Sequence, residues 1–443
     1  MDRRDFLKKS ALGCGAVALG TDALAQPRAD FSVSTLRIEA NDFVKEPARK
    51  IPVLANTDVV VVGGGPAGVA AALSAARAGS SVWLIERYNH LGGLWTGGLV
   101  LILNDTYGMN KQREWVQTVF GVSDEITHRL DEMGMLVKHY NPTPDPEACK
   151  YVMAEMLHEA GVNVIYGSVA ANVVKSGNHI DAVLLETKSG RVAIKAKMVV
   201  DCTGDGDVIE WVGEKYAEIK YLVGLNYRLG NVDRVNTQAE GYQPQRLGMH
   251  TPIKSVNWVN VRGGEDVDAL NVLETSRVQY EWRKSAWEKT QELRQQPGYE
   301  EVFLLDTASQ LGVRLSRVLD SLHIVTLEES MTFAEFPDVV GIGGGYTNIP
   351  YNGGVVKAKE RPCWQIPLRA LLPRRCENLI IGGRCFGFEE GLAEDAREIG
   401  NCLLTGQAAG AAAASAIEQR TIPRELDVPR LQRLLRQQKV NLG

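Results

Sequence analysis

Paired cysteines, clustered histidines, an excess of positive charge and long apolar runs are all missing from this sequence. Of its seven cysteines, Cys14 stands near the start. Cys149, Cys202, Cys363, Cys376, Cys385 and Cys402 follow without one C-x-x-C pair. That spacing excludes the usual ligand sets of iron–sulfur clusters and zinc ribbons and the attachment site of a c-type haem. The apolar or glycine-rich surroundings of these cysteines suggest buried free thiols for most of them. The seven histidines make no H-E-x-x-H or comparable cluster, so no catalytic metal is expected. With 49 Lys and Arg against 54 Asp and Glu, the net charge of −5 is spread over both signs. A nucleic-acid partner would need a basic stripe. No segment reaches the roughly eighteen apolar residues of a membrane span, so stable membrane insertion is not expected.

Glycine is plentiful at 44 residues, and the stretch from Asp58 to Gly98 uses it in a way that discloses chemistry. Val59 to Val62 form a β-branched apolar run of strand length, suited to burial on both faces. Gly63, Gly65 and Gly68 follow as G-x-G-x-x-G. In such a turn the first glycine permits the tight bend, the second lets backbone approach a pyrophosphate, and the third lets helix and strand pack closely. Pro66 and Ala67 open a small-residue helix that runs to Ala78 and stops at Gly79. A second strand, Ser81 to Ile85, delivers Glu86 at its end, about twenty residues on, where a ribose hydroxyl is expected. An acid there argues against a bound 2′-phosphate and leaves NAD or FAD.

Two further segments return to this first fold. Asp145 can cap a helix with Pro146 at its first position, and Cys149, Val152, Met153, Met156, Leu157 and Ala160 recur at helical spacing before Gly161. Val162 to Tyr166 reads as a strand, and Ile180–Lys188 with Arg191–Met198 reads as a hairpin turning at Ser189-Gly190. Met198-Val199-Val200 then leads into Asp201-Cys202-Thr203-Gly204-Asp205-Gly206-Asp207. Near the end, Asn378 to Ile381 is a strand, followed by Gly382-Gly383-Arg384 and a long helix of small residues reaching Ala416.

Between these parts the texture changes. Leu99 to Tyr140 has no clean period, and from Glu210 to about Ala370 aromatic and polar residues mix. The charged segment Asp266 to Gln296 reads as an amphipathic helix that buries Trp282 and Trp287. Gly341 to Tyr346 resembles a second nucleotide loop only superficially, since Pro350, Gly353 and Gly354 prevent a following helix; it reads as a loop of the substrate side. No second strand–glycine–helix unit remains, which favours oxygen, a quinone or a separate redox protein over NAD(P)H as electron partner.

At the amino end, Arg3-Arg4-Asp5-Phe6-Leu7-Lys8 and Ala23-Leu24-Ala25 resemble a twin-arginine export signal. The expected organisation is a signal peptide over 1–25, an arm over 26–56, a dinucleotide-binding domain in three parts (57–100, 145–212 and 371–420), a substrate domain in two (101–144 and 213–370), and a tail over 421–443. A periplasmic or otherwise exported location follows, with the twin-arginine export machinery as a partner.

The continuation after Glu86, GGLWTGG, is similar to that of glutathione-reductase-like flavoproteins. Together with DCTGDGD, LGVRLSR at 311–317, IPLRALLP at 366–373 and NLIIGGRC with GQAAGAAAA, it resembles the FAD-dependent oxidoreductases, a family similar in fold to the fumarate reductase and succinate dehydrogenase flavoproteins. The resemblance implies an α/β protein, a glutathione-reductase-like Rossmann FAD-binding domain with an inserted α+β substrate domain. It places Gly63, Gly65, Pro66, Ala67, Gly68, Glu86, Arg87, Gly92, Gly93, Leu94, Trp95, Val169, Thr203, Gly204, Asp205, Gly383, Arg384 and Gly400 on FAD. Arg384 can add a charge beside the flavin or form a surface ion pair.

For a small-molecule substrate the polar candidates are Asn104, Asp105, Arg314, Arg317, His323, Tyr346, Glu390 and Glu394, of which Arg317, Arg314, Glu390, Tyr346 and Asn104 are taken as catalytic candidates. An arginine pair at i, i+3 on a helix is more often a solvated or salt-bridged face, and His323, between Leu322 and Ile324, reads as a satisfied core histidine. Where an Asp-x-His pair would follow the GGY segment, the chain has Asn348 and Tyr351, so no histidine acid or base is carried over. The functional expectation is hydride transfer between a small organic molecule and flavin. A redox-neutral flavoenzyme and a non-catalytic, flavin-carrying electron-transfer partner are the alternatives.

Overall fold

Val59 to Val62 are no more than 2% exposed, as a central strand covered on both faces must be. They end strand β1, Val53–Val62, which leads through the glycine turn into helix α1, Pro66–Arg77, and strand β2, Val82–Ile85. The computed structural model describes residues 44–443 apart from Tyr140, Arg262 and Gly264. The export signal with Arg3 and Arg4, and residues 26–43 of the arm, lie outside the described residues.

Helix α2, Pro146–Glu159, begins as the sequence predicts: the Asp145 carboxylate accepts the N–H groups of Glu147 and Ala148, satisfying donors that a helix start leaves free. Strands β3 (Asn163–Ile165), β4 (Val169–Ser176), β5 (His179–Thr187), β6 (Gly190–Asp201) and β7 (Leu379–Ile381) complete a seven-stranded sheet. Its order is β3-β2-β1-β6-β5-β4, with β7 also on β6. The β3, β2, β1, β6 and β7 neighbours are parallel, and the β4–β5–β6 meander is antiparallel. β6 is long enough to pair with β5 over its first half and β7 over its last three residues.

Helix α3, Ile399–Gln419, is buried along its whole length through Ala416. Its small residues are a packing requirement. A Cβ on Gly406 would lie 2.1 Å from the Ala67 carbonyl oxygen, and one on Gly410 would lie 2.1 Å from that of Ala71. Helices α1 and α3 thus meet backbone to backbone, and α1's first turn is fixed against α3.

Val44–Gly443 is one compact unit with more than one hydrophobic cluster. A four-stranded antiparallel sheet runs Met249–His250, Val256–Val259, Tyr227–Gly230, Phe303–Thr307, with its own small core of Tyr227, Leu229, Ala286, Tyr299 and Val302. The helix Val272–Arg294, capped by Asn271, buries Val278, Ala286 and Thr290, Ala286 in this core and Val278 in a separate cluster with Val223 and Val267. Two expectations need correction here. Trp287 is 58% exposed, because it follows Ala286 by one residue and so points about 100° round the helix from the buried stripe; only Trp282 packs inward. Gly341 to Gly343 are not loop but the end of a strand, Val339–Gly343, paired with Trp364–Pro367.

Among the described residues all six cysteines are free, and no helix is long and apolar enough to cross a membrane. Among the same residues no cluster of His, Cys, Asp and Glu is suited to a metal.

Candidate active site

The glycine turn divides its three roles by what surrounds each Cα. A Cβ on Gly63, where φ is +100°, would lie 2.4 Å from the Cys202 carbonyl oxygen, and one on Gly68 would lie 1.7 Å from that of Gly63. Gly65 is different. Its nearest neighbour in the Cβ direction is the Gly93 Cα at 4.0 Å, so its missing side chain leaves room outside the fold. Gly65 is also the N-cap of α1, which has no side-chain cap. Free space at an uncapped helix start suits an anion.

Glu86 closes this space from the end of β2. One carboxylate oxygen accepts the Gly64 N–H at 2.7 Å and the other accepts that of Tyr88 at 2.7 Å. Burial pushes its carboxyl up, opposed by those two N–H groups. A carboxylate has about four acceptor positions, so capacity remains for ribose hydroxyls. The backbone N–H of Ser168 bonds to the Glu86 carbonyl at 3.1 Å and that of Gly167 to the Tyr88 carbonyl at 3.1 Å. This sets Val169, 48% exposed, beside the acid. These residues fit FAD: an open cradle for a pyrophosphate, an acid for a ribose, and exposed backbone further along.

Gly92 and Gly93 start a short helical turn, Gly93–Thr96, and a Cβ on Gly93 would stand 3.0 Å from the Gly65 Cα. The pair therefore lies over the cradle. Trp95 is wholly buried, its indole N–H donating to the Leu101 carbonyl at 3.4 Å; its ring is core, while Leu94 is half-buried.

The DCTGDGD turn is organised by Asp201, whose buried carboxylate accepts the Thr203 hydroxyl at 2.7 Å and the N–H groups of Thr203, Val208 and Ile209. Beyond it Asp205 accepts from Arg384 at 2.7 Å and from the Ser316 hydroxyl at 2.8 Å, with Arg87 at 3.9 Å. Burial acts to raise the Asp205 carboxyl, but Arg384, Ser316 and Arg87 hold it below its ordinary value. Arg384 is thus an interior partner, its side chain 15% exposed, and not a surface ion pair. Gly383 N–H donates to the Thr405 hydroxyl of α3 at 3.0 Å.

A second group of charges gathers at the amino end of α3. Arg397 pairs with Glu394 at 2.6 Å and Glu398 at 2.7 Å, and Arg361 pairs with Asp395, both wholly buried. Burial, partly offset by Arg361, pushes the Asp395 carboxyl up to about 7. The Tyr221 hydroxyl donates to Glu394, and the Asn104 amide reaches Glu398 at 3.5 Å. The glycines after Val339–Gly343 make this packing possible. A Cβ on Gly344 would lie 2.3 Å from the Tyr107 carbonyl oxygen, and one on Gly345 would lie 3.0 Å from the Asp395 carboxylate.

The catalytic candidates separate accordingly. Asn104 belongs to the α3 group, and Tyr346 follows its glycine loop, with its ring 6.3 Å from that of Trp115. Arg314 donates to the Leu222 carbonyl at 2.8 Å, next to Tyr221. Arg317 instead joins the DCTGDGD turn, donating to the Asp205 carbonyl at 3.0 Å and pairing with Asp207 at 3.2 Å. The two arginines are not on a helix: Arg317 starts a strand, Arg317–Leu319, and Arg314 precedes it. Glu390 is exposed on the turn Glu390–Leu392. His323 is satisfied by Glu329 at 3.1 Å. Asn348 accepts the Ala358 N–H, and the Tyr351 hydroxyl bonds Glu328.

Gly400 N–H donates to the Asn104 carbonyl at 3.2 Å, so the segment 104–106 packs directly on the first turn of α3. Sequence reasoning left Asp105 among loosely ranked polar residues and passed over Arg361, Asp395 and Glu398. One signal was available: Glu394, Asp395 and Glu398 immediately precede a helix that is apolar all round. A helix of that kind is buried, and acids at its start go inward with it.

The model of a family described as FAD dependent oxidoreductase matches residues 58–224 and 225–435. A thiamine thiazole synthase from Aeropyrum pernix is 31% identical over 169 residues, covering 34% of this chain and 56% of that protein. A digeranylgeranylglycerophospholipid reductase from Picrophilus torridus is 26% identical over 238 residues, covering 48% and 55%. The chain thus spans little more than half the length of either relative. Among solved structures, a geranylgeranyl bacteriochlorophyll reductase-like protein from Thermoplasma acidophilum aligns with a TM-score of 0.42 and 16% identity, over 86% of this chain and 83% of that one.

Proposed function

The chain belongs to the FAD dependent oxidoreductase family, and on that premise we propose that it is an exported enzyme transferring a hydride between a small organic molecule and FAD. Bound flavin supplies the hydride chemistry, and protein supplies position, protons and local charge. The observation that carries this reading is the space at Gly65, open at an uncapped helix start and bordered by Glu86. In this reading the N–H groups of α1's first turn hold the pyrophosphate and Glu86 holds a ribose. The backbone at Val169 meets the adenine, and Thr203 to Asp205, Gly383 and Arg384 border the ribityl side. The parallel strands with an antiparallel meander at one edge support a glutathione-reductase-like FAD domain, and the separate core around Tyr227 supports an inserted substrate domain.

The electron partner in this proposal is oxygen, a quinone or a separate redox protein. The other glycine-rich stretch, Gly341 to Gly345, is taken up by packing against Leu404, Trp364, Tyr107 and Asp395, which supports a single dinucleotide cradle. Export rests on Arg3 and Arg4; exchanging both for lysine should hold the protein in the cytoplasm, and unchanged periplasmic accumulation on fractionation would remove that part of the proposal.

The central test is purification followed by a visible spectrum and anaerobic mixing with candidate substrates. FAD should be present near one per chain, and a substrate should bleach the oxidised flavin. Turnover without bleaching would select redox-neutral chemistry, and reduction only by a partner protein would select the electron carrier. A colourless protein that FAD does not reconstitute would overturn the reading.

A further inference from the structure

At one end of the four-stranded sheet lies an open groove of about 590 Å³, within the size range of small-molecule sites. Its walls are the turn Val232–Arg234, the segment 245–248 and the hairpin from His250 to Asn257. Each wall is fixed by a hydrogen bond. Val232 N–H donates to the Ser255 carbonyl at 3.1 Å, Gln245 N–H to the Tyr299 hydroxyl at 2.7 Å, and Val256 N–H to the Ile253 carbonyl at 2.9 Å. Gly248, with φ +85°, makes the corner between the last two walls, where a Cβ would lie 2.3 Å from the Trp258 carbonyl oxygen.

The lining offers donors that nothing in the protein takes up. Arg246 and Lys254 are exposed in the groove, and neither has an ion pair or a side-chain hydrogen bond among the described residues. Asn257, only 6% exposed, lines it from the strand Val256–Val259. His250 Nδ1 lies 3.2 Å from the Asn257 amide oxygen, and this leaves the amide NH2 without a partner among the described residues. Asp233 is the one carboxylate in the lining and pairs with neither cation, so two fixed positive charges stand against one negative before His250 is counted. A largely buried donor without a partner is costly, and unpaired like charges repel. An oxyanion relieves both, and a guanidinium fork matches its geometry.

The groove is not part of the cradle at Gly65. The sheet meets the end of the GGLWTGG segment through Asn226, whose amide donates to the Leu99 carbonyl at 2.9 Å and accepts the Val261 N–H at 2.8 Å. Asn257 stands opposite Leu229, and Val256 opposite Gly230, at the other end of the pairing. Asn226 and Gly230 are four residues apart on the strand, about 13 Å at 3.3 Å per residue.

We propose that this groove is a second ligand site, for a small molecule carrying an oxyanion, phosphate or carboxylate, held by Arg246, Lys254 and the Asn257 amide. It does not depend on the FAD reading.

Thermal unfolding with inorganic phosphate, and separately with citrate, tests it, at fixed ionic strength and with FAD added so that phosphate cannot settle at Gly65. A site-bound anion raises the midpoint along a saturating curve, whereas the general effect of such salts does not saturate. The wild type should show a saturable rise with at least one of the two: phosphate alone assigns a phosphate ester, citrate alone a polycarboxylate, and both an oxyanion of either kind. Arg246→Gln/Lys254→Gln changes only exposed side chains and should weaken binding by about 10-fold or more. Asn257→Asp, of the same shape but negative, should abolish it. No saturable rise in the wild type with either anion, or one that survives unchanged in either variant, would overturn the proposal.

Discussion

Glu86 accepts the Gly64 N–H at 2.7 Å across the turn that separates two parallel strands. The acid at the end of β2 and the glycine turn after β1 therefore form one rigid unit. Glu86→Ala removes both this tie and the proposed ribose acceptor. A hydrogen bond to a charged group contributes about 1.5–3 kcal/mol, so FAD affinity should fall on the order of 10- to 100-fold. Fluorescence titration of the apoprotein with FAD would show it; an unchanged Kd would remove Glu86 from the cofactor site.

Gly65 and Gly68 should respond to substitution in opposite ways, although the pattern treats them alike. Gly65 has an ordinary φ of −69° and open space in its Cβ direction, so Gly65→Val should fold normally and lose FAD. At Gly68 even a methyl would lie 1.7 Å from the Gly63 carbonyl oxygen, and the backbone cannot yield without opening the turn. Gly68→Ala should cost about 1–3 kcal/mol of stability, as overpacking does. Thermal unfolding and FAD content, measured on both, would separate the roles; a Gly65→Val protein that keeps its flavin would contradict the assignment.

How much of this was legible in the sequence follows from the range of the interactions. The cradle, the Asp145 cap and the Ser189-Gly190 hairpin depend on neighbours in sequence, and each stands where its pattern puts it. The strand at Gly341 was hidden because its glycines serve contacts with Leu404, Trp364 and Asn401, far along the chain. The helical reading of Arg314 and Arg317 failed because spacing alone carries no information about Asp205 and Asp207, more than a hundred residues earlier. Asp105 is the same case: its burial is set by α3 and Arg361, which no local pattern near residue 105 reveals.

Arg384 should matter most near neutral pH. Asp205 is held below its ordinary carboxyl value of 3.8, so the pair contributes stability above that pH and loses it as pH falls and the carboxyl is protonated. Breaking a buried pair from one side costs about 3–5 kcal/mol, and the partial exposure of both side chains places Arg384→Ala nearer 2–3 kcal/mol. Urea unfolding should show the gap between variant and wild type narrowing below about pH 4. A gap that widens in acid would mean that another group, and not Asp205, feels the loss.

Mixing the oxidised enzyme with NADH or NADPH in a stopped-flow instrument should leave the flavin absorbance unchanged on the timescale of turnover. The cradle at Gly65 is assigned to FAD, and the glycines from 341 to 345 are closed by packing. Rapid, saturable bleaching by either nucleotide would replace oxygen, quinone or a redox protein as the electron partner.

The burial of Asp105 without a hydrogen-bond partner among the described residues should be visible in the pH dependence of stability. Its carboxyl is raised in the folded protein, by burial and by Asp395 and Glu398, while the unfolded chain releases that proton near the ordinary value. The folded state then binds one proton more than the unfolded state above about pH 4, and stability falls as pH rises, by up to about 1.4 kcal/mol per unit. Asp105→Asn cannot release a proton, so its curve should lack this slope while Asp395 remains in both proteins. Urea midpoints measured between about pH 5 and pH 8 should therefore fall more steeply in the wild type, and the variant should gain relative to it as pH rises. Parallel curves would mean that Asp105 is ionised in the folded protein, with a partner for its charge.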